Sequence, residues 1–153
     1  MKYAKSTSVS VDASRNEIEK TLKRYGAGAF AYATQGTKAL VMFELKGKRI
    51  RFVLNLPDIN SRQFTHTPSR GTRRSVESQT QEWEQACRQK WRALLLVIKA
   101  KLEAVDSGIS VLEEEFMANI LLPNNQTVGE YMLPQIDNCY QINQLPPMID
   151  FGG

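Results

Sequence analysis

The sequence holds few of the residues that build catalytic and metal centres. It has one histidine and two cysteines among 153 residues, and Cys87 and Cys139 are far apart, which is typical of packed thiols rather than a disulfide. A lone His66 excludes a metal site with two histidine ligands. The acids at 113–115 would point in different directions on a helix, and the sequence has no phosphate-binding G-x-x-x-x-G-K-S/T loop. We therefore predict no enzyme activity, no catalytic residues, no metal and no cofactor.

Long apolar runs are also missing. The longest, Ala93 to Ile98, is much shorter than the roughly 20 residues that cross a bilayer. Residues 1–6 lack the apolar core of a signal peptide. These absences predict a soluble, cytoplasmic protein that has no membrane partner.

Positive charge is absent from the last third of the chain. All 20 lysines and arginines lie at or before Lys101 together with eight acids, which gives that part a charge of +12. Residues 102–153 hold the other eight acids and no lysine or arginine, which gives −8. Such asymmetry indicates a nucleic acid or another polyanion as partner. The alternative is that the two parts neutralise each other across one surface.

The chain length fits one domain with one core. We predict an α+β fold, in which an antiparallel β-meander of three to four strands packs on one long helix, followed by short C-terminal helices. The predicted domain covers residues 1–140 and includes a flexible basic loop at 58–80. Residues 141–153, with Pro146 and Pro147, are predicted to form an extended tail.

Period-two alternation predicts the strands. Residues 6–11 alternate polar and apolar side chains, which predicts a first strand. The runs 30–33, 39–45 and 50–56 are joined by short turns that contain glycine, which predicts an antiparallel meander. In the last run the side chains of Ile50, Phe52, Leu54 and Leu56 share one face, which we assign to the core, whereas the opposite face begins basic.

Helical spacing and capping pairs predict the helices. Ser14 with Glu17 predicts a helix start, and Gly26 its end. A long helix is predicted over 82–105, ending by Gly108, because its apolar residues recur every three or four positions. Its middle turn is apolar nearly all round, so we expect the sheet on one side and another element or subunit on the other. The pairs Ser110/Glu113 and Thr127/Glu130 predict two short helices, which end by Pro123 and towards Pro134.

A basic cluster is the strongest functional signal. Its arginines can fork hydrogen bonds onto phosphates, and Phe64 and His66 lie among them as candidate stacking partners for bases. Arg88 and Arg92 add a basic stripe to the long helix, although such a stripe is usually a solvated face. The candidate nucleic-acid-binding residues are Lys46, Lys48, Arg49, Arg51, Arg62, Phe64, Arg70, Arg73, Arg74, Arg88 and Arg92. The alternative interpretation is a solvated hairpin followed by a mobile loop.

Four stretches resemble a family of small proteins of tailed bacteriophages and prophages. They are Arg24 to Ala27, the strand from Arg49 to Phe52 that leads to Leu56 and Pro57, the run Lys90 to Val105, and Leu122 to Glu130. No activity is established for that family, so the resemblance transfers no functional residue. It implies a phage setting and the cytoplasm of the host cell, where small basic non-enzymes often serve DNA recombination, replication or defence against host immunity. The order of meander, basic loop and long helix also resembles, in architecture alone, the core of phage single-strand annealing proteins.

Two functional hypotheses follow. The first is a non-catalytic accessory protein that binds single-stranded DNA in recombination or replication, as a homo-oligomer whose basic loops adjoin. The second is a protein-interaction module that inhibits a host defence or replication complex through its acidic C-terminal third. That third could equally fold back onto the basic part of its own chain.

Overall fold

Three antiparallel strands form the sheet. The computed structural model describes residues 7–145, in which β1 (Gly28–Gln35), β2 (Lys38–Leu45) and β3 (Lys48–Asn55) lie in that order. Each strand pairs with the next in the chain, as short hairpin turns require. The predicted meander is confirmed.

Two helices cover one face of this sheet. Helices α1 (Val11–Lys23) and α3 (Val76–Asp106) pack against each other over the sheet. The remaining helical elements are α2 (Arg62–Thr65), α4 (Leu112–Glu115), a 3₁₀ turn (Met117–Asn119) and α5 (Val128–Ile142). The protein is therefore an α+β protein of the predicted class.

The core lies between the inner face of the sheet and these helices. Alternate residues of β2 and β3 are buried, among them Phe43 and Ile50. Phe116, which directly follows α4, is fully buried and meets the rings of Phe43 and Phe52 edge-on at centroid distances of 6.3 and 6.2 Å. Such edge-to-face contacts add to the stabilisation from apolar burial. The predicted core face of β3 is confirmed, since Ile50 and Phe52 are buried and Leu54 is partly buried.

Helix α3 carries the apolar face that its spacing predicts. Cys87, Trp91, Leu94, Ile98 and Leu102 are all buried along it. The sheet and α1 cover this face, whereas Val97 in the middle turn remains 46% exposed. The helix ends at Asp106, and Gly108 follows with a positive φ of 76°, as predicted.

Helix α3 begins six residues earlier than predicted, at Val76. Ser75 is its N-cap, because the Ser75 hydroxyl accepts a hydrogen bond of 3.1 Å from the backbone N–H of Ser78. Ser75→Ala should therefore lower the free energy of unfolding by about 1 kcal/mol. Urea denaturation followed by circular dichroism measures this loss, with Ser69→Ala in an exposed turn as the control. Equal stability of the two variants would show that the cap contributes nothing.

The prediction of a first strand at residues 6–11 was wrong. Residues 7–10 form no strand, Val11 begins α1, and Ser6 lies outside the described residues. The N-cap is Ser10, whose hydroxyl accepts from the Ala13 amide, whereas the predicted cap Ser14 is buried inside the helix. Val11, Ser14, Ile18 and Leu22 share one helical face, and the buried serine hides that period in the sequence.

The C-terminal elements also differ from the prediction. Ser110 does not cap α4, which begins after Val111 without a side-chain cap. Helix α5 is capped by Thr127 as predicted, but it continues through Pro134 to Ile142 instead of ending near the proline. The predicted tail at 141–153 therefore begins inside a helix, and its part at 146–153 lies outside the described residues.

Two further expectations concern the cysteines and the membrane. Cys87 and Cys139 are both free, and burial raises the pKa of the Cys87 thiol. No helix within residues 7–145 has the length and apolarity needed to span a membrane.

Candidate nucleic-acid interface

The segment that follows β3 wraps around the first half of α3. The indole N–H of Trp83 donates to the carbonyl of Pro57, and the Gln79 amide donates to the carbonyl of Ile59, both at 2.8 Å. Phe64 and Thr65, the last two residues of α2, are buried. The segment 58–80, predicted as a flexible basic loop, contains α2 and the first residues of α3, so that prediction was wrong in its secondary structure.

A tight turn completes this segment. The amide of Thr67 donates to the carbonyl of Thr72 at 2.8 Å, and the amide of Arg74 donates to the carbonyl of Thr65 at 2.7 Å. Gly71 takes a positive φ of 62°, which the turn requires and which favours glycine. These hydrogen bonds fix the backbone of residues 65–74, in which Arg70 and Arg73 are exposed to solvent.

An open cleft of about 1030 Å³ separates this segment from α3. Arg62, Arg74 and His66 line the wall formed by this segment, and Lys90 lines the wall formed by α3. The lining acid is Glu82, which pairs with Arg74 at 3.4 Å. We call this cleft, together with the neighbouring Arg70 and Arg73, the basic cleft.

Four cations of the basic cleft have no acidic partner in the described part of the chain. The side chains of Arg62, Arg70 and Arg73 are exposed, Lys90 is half-buried, and none of the four forms an ion pair within residues 7–145. These side chains can therefore bind an external anion without first breaking an internal ion pair.

Two of these arginines lie beside His66 and affect the pKa of its imidazole. Partial burial lowers the pKa of His66, and the charges of Arg62 and Arg73 lower it further. His66 pairs with Arg73 across a short antiparallel bridge. A β-carbon built on Gly71 would stand 3.5 Å from the Nη2 atom of Arg62, so Arg62 also reaches the turn. Arg62, Arg73 and His66 thus form one surface, on which the two arginines carry the positive charge and His66 is neutral at pH 7.

Acidification should strengthen anion binding at this surface. A bound phosphate favours the protonated imidazole, so affinity should rise as the pH falls through the lowered pKa of His66. We expect oligonucleotide affinity to increase as the pH falls from about 7 to values below the lowered pKa of His66, by roughly fivefold once the imidazole is fully protonated. Anisotropy titrations of the parent and His66→Gln across that range measure the effect. Identical pH profiles for the two proteins would exclude a contribution from His66.

Lys46 and Arg51, at the hairpin end of the predicted cluster, are neutralised by the last third of the chain. Lys46 pairs with Glu113 at 3.8 Å, and Arg51 pairs with Glu130 and donates to the carbonyl of Asn125. The hydrogen bond from Arg51 lowers the pKa of Glu130. The backbone amide of Glu113 and the charge of Lys46 lower the pKa of Glu113. At these two positions the acidic last third of the chain neutralises the basic part, which was the alternative interpretation of the charge asymmetry.

The predicted cluster therefore divides into two groups. Lys48 and Arg49 are exposed at the hairpin, whereas the basic cleft begins beyond the other end of β3. The eight residues of β3 extend about 25 Å at the usual rise of about 3.3 Å per residue. The structure brings Arg62, Arg73 and Arg74 together around His66, with Arg70 in the adjoining turn, but it does not bring the hairpin cations to them.

Three other predicted residues also fall outside the basic cleft or are unavailable in it. Phe64 is only 5% exposed, so its ring cannot stack on a base, because it fills the space between α2 and α3. Arg92 pairs with Glu17 at 3.2 Å, and Lys99 binds the same carboxylate, so these ion pairs join α1 to α3. The hydrogen bond from Lys99 and the charges of Lys99 and Arg92 lower the pKa of Glu17. Arg88 donates to the side chain of Gln85 on the opposite flank of α3.

Lys90 is the cleft residue that the sequence prediction missed. It follows Glu82 and Ala86 at steps of four, and all three line the cleft. That spacing could have indicated a polar helix face opposite the apolar one. The wall that faces it comes from the wrapped segment, which has no periodic pattern.

No group of three or more histidine, cysteine, aspartate or glutamate side chains in residues 7–145 is arranged to hold a metal ion.

Comparison with protein-family models, curated proteins and solved structures gives no match to this chain. The candidate function therefore depends on the geometry and charge of the basic cleft.

Proposed function

We propose that the protein binds single-stranded nucleic acid through the basic cleft, as a non-catalytic accessory protein. The observation that supports this most directly is that Arg62 and Lys90 line one open cleft and Arg70 and Arg73 lie on the turn beside it, all four without acidic partners in residues 7–145. Arginine side chains bind phosphate oxygens through two parallel hydrogen bonds. Cations on both walls of a concave surface, here arginines on one and Lys90 on the other, can follow a flexible, charged backbone.

The shape of the site favours a single strand over a duplex. Its cations line a concave cleft and the turn beside it, instead of forming a row on a projecting helix. Duplex DNA is stiff, with a persistence length of about 150 base pairs, and cannot bend into so short a depression. A single strand can enter it. In the phage setting that the family resemblance implies, such binding would serve recombination or replication.

Titration of a labelled thymidine 20-mer tests this proposal. We expect binding at about 50 mM salt that weakens by one to two orders of magnitude at about 200 mM, because roughly three to four phosphates would be neutralised. A duplex of equal length should bind more weakly at each salt concentration. Absence of binding at the lower salt concentration would refute the proposal, and equal affinity for the duplex would refute the preference for single strands.

A second candidate function uses helix α5. None of its fifteen residues is buried, and Leu133 and Tyr140 are 61% and 86% exposed. The helix has acidic residues and no lysine or arginine. An exposed helix with apolar and acidic side chains fits a groove on a partner protein that has a basic rim.

A pull-down from bacterial lysate with and without nuclease separates the two candidate functions. Partners that persist after nuclease treatment and disappear with Leu133→Asp support protein binding through α5. Partners that disappear with nuclease and persist in Leu133→Asp support nucleic-acid binding.

A further inference from the structure

A second, apolar pocket lies on the opposite side of α3 from the basic cleft. It has a volume of about 350 Å³ and lies between the start of α1, the end of β1 and the first half of α3. Val11, Leu56, Trp83 and Cys87 form its apolar walls. Leu56 lines both depressions and is the residue that they share. The volume lies within the range of pockets that bind small ligands.

Two arginines line this apolar pocket. The guanidinium carbon of Arg15 lies 4.5 Å from the ring centroid of Tyr32 and 5.2 Å from that of Trp91. Arg15 is thereby held by aromatic rings instead of by a carboxylate. Arg88 is oriented by Gln85, which accepts a hydrogen bond of 3.0 Å from its Nε atom.

These arginines give the pocket a net positive charge. Neither forms an ion pair within residues 7–145. The acid that lines the pocket, Glu84, is exposed to solvent. The site therefore combines apolar walls with two cations, and this combination suits a ligand that has a flat apolar part and an anionic part.

We infer that this apolar pocket receives one nucleobase of a bound single strand while Arg15 and Arg88 contact its phosphates. This inference rests on the proposed function and deepens it, because the basic cleft has no accessible Phe, Tyr or Trp ring in the described residues: Phe64 is buried, and the remaining ring is the small, half-buried imidazole of His66. The apolar pocket supplies a larger surface, since Trp83 is partly exposed in its wall. Bases of any sequence pack on an indole, so the site would not select a sequence.

Intrinsic fluorescence offers a direct readout. The chain has two tryptophans, Trp83 and Trp91, and both line the apolar pocket. A thymidine decamer should quench their emission and bind about 10-fold more tightly than a decamer of abasic residues, which has the same phosphates and no bases. The abasic decamer should bind without quenching.

A blocking variant localises the effect. Thr34, near the exposed end of β1, lines the apolar pocket, and Thr34→Phe should fill its mouth. This variant should lose the quenching and the 10-fold preference while it keeps the parent affinity for the abasic decamer. Ala33→Phe adds the same ring on the other face of β1 and should behave like the parent.

The outcomes separate the inference from the proposed function. Equal affinities for the two decamers with unchanged tryptophan emission would overturn base insertion and leave phosphate binding intact. The comparison of decamers uses the unmodified protein, so it decides the question even where Thr34→Phe fails to fold. Failure of both decamers to bind would overturn the proposed function as well.

Discussion

Simultaneous replacement of Arg62, Arg70 and Arg73 by glutamine is expected to lower the affinity for a single-stranded oligonucleotide about 100-fold at low salt. All three side chains are exposed and none forms an ion pair within residues 7–145, so their removal breaks no internal ion pair there. The slope of log affinity against log salt should fall by about two, since each contact with a single strand contributes about 0.7. Fluorescence anisotropy at several salt concentrations measures both quantities.

The matched control removes the same charge from another surface. Lys20, Lys23 and Arg24 are exposed in the last turn of α1 and just after it. Their triple glutamine variant should keep the affinity within about threefold and the salt slope within about 0.5, because only the long-range field changes. An equal loss of affinity in the two triple variants would show that net charge, and not the basic cleft, determines binding.

The sequence contains enough information to predict the layers of the fold. The alternation in β2 and β3 and the spacing of apolar residues in α3 are direct consequences of which side chains face the core. Prediction failed where a polar residue occupies a buried position or a proline is tolerated. Ser14 obscures the apolar face of α1, and Pro134 lies within α5 although proline usually ends helices.

The candidate site was only partly predictable, because neighbours in sequence were taken as neighbours in space. Arg62, Arg73 and Arg74 do converge around His66, since one wrapped segment carries them. Lys46 and Arg51 precede them closely in sequence but meet Glu113 and Glu130, which are more than 60 residues away along the chain. Such pairing depends on how the α4 to α5 region packs beside β3, and no local pattern encodes it.

The core and the basic cleft share α3, yet they use different faces and different parts of it. Its apolar face extends from Cys87 to Leu102 beneath the sheet, whereas the cleft uses positions 82–90 on another side. Loss of packing near α4 should therefore lower global stability without removing a cleft contact. A substitution at the far end of the core tests whether the two properties are separable.

Phe116→Ala should lower the free energy of unfolding by about 3–5 kcal/mol. The ring is fully buried, meets Phe43 and Phe52 edge-on, and lies 5.8 Å from the Nζ atom of Lys101. Alanine would leave a cavity that the strands on one side and α3 on the other can close only in part. Urea denaturation measures the loss, and Phe116→Leu, which keeps most of the volume, should lose less than half as much.

Tyr140→Ala is the control for this loss of stability. It removes an aromatic ring that is 86% exposed on α5 and should change stability by less than about 0.5 kcal/mol.

Phe116→Ala also separates the role of the core from that of the basic cleft. Under conditions where Phe116→Ala remains folded, its oligonucleotide affinity should stay within about twofold of the parent, because Phe116 does not line the cleft. A stability loss below about 1 kcal/mol would contradict the central place of this ring in the core. A large loss of affinity in the folded variant would show that packing around α4 positions the cations of the cleft.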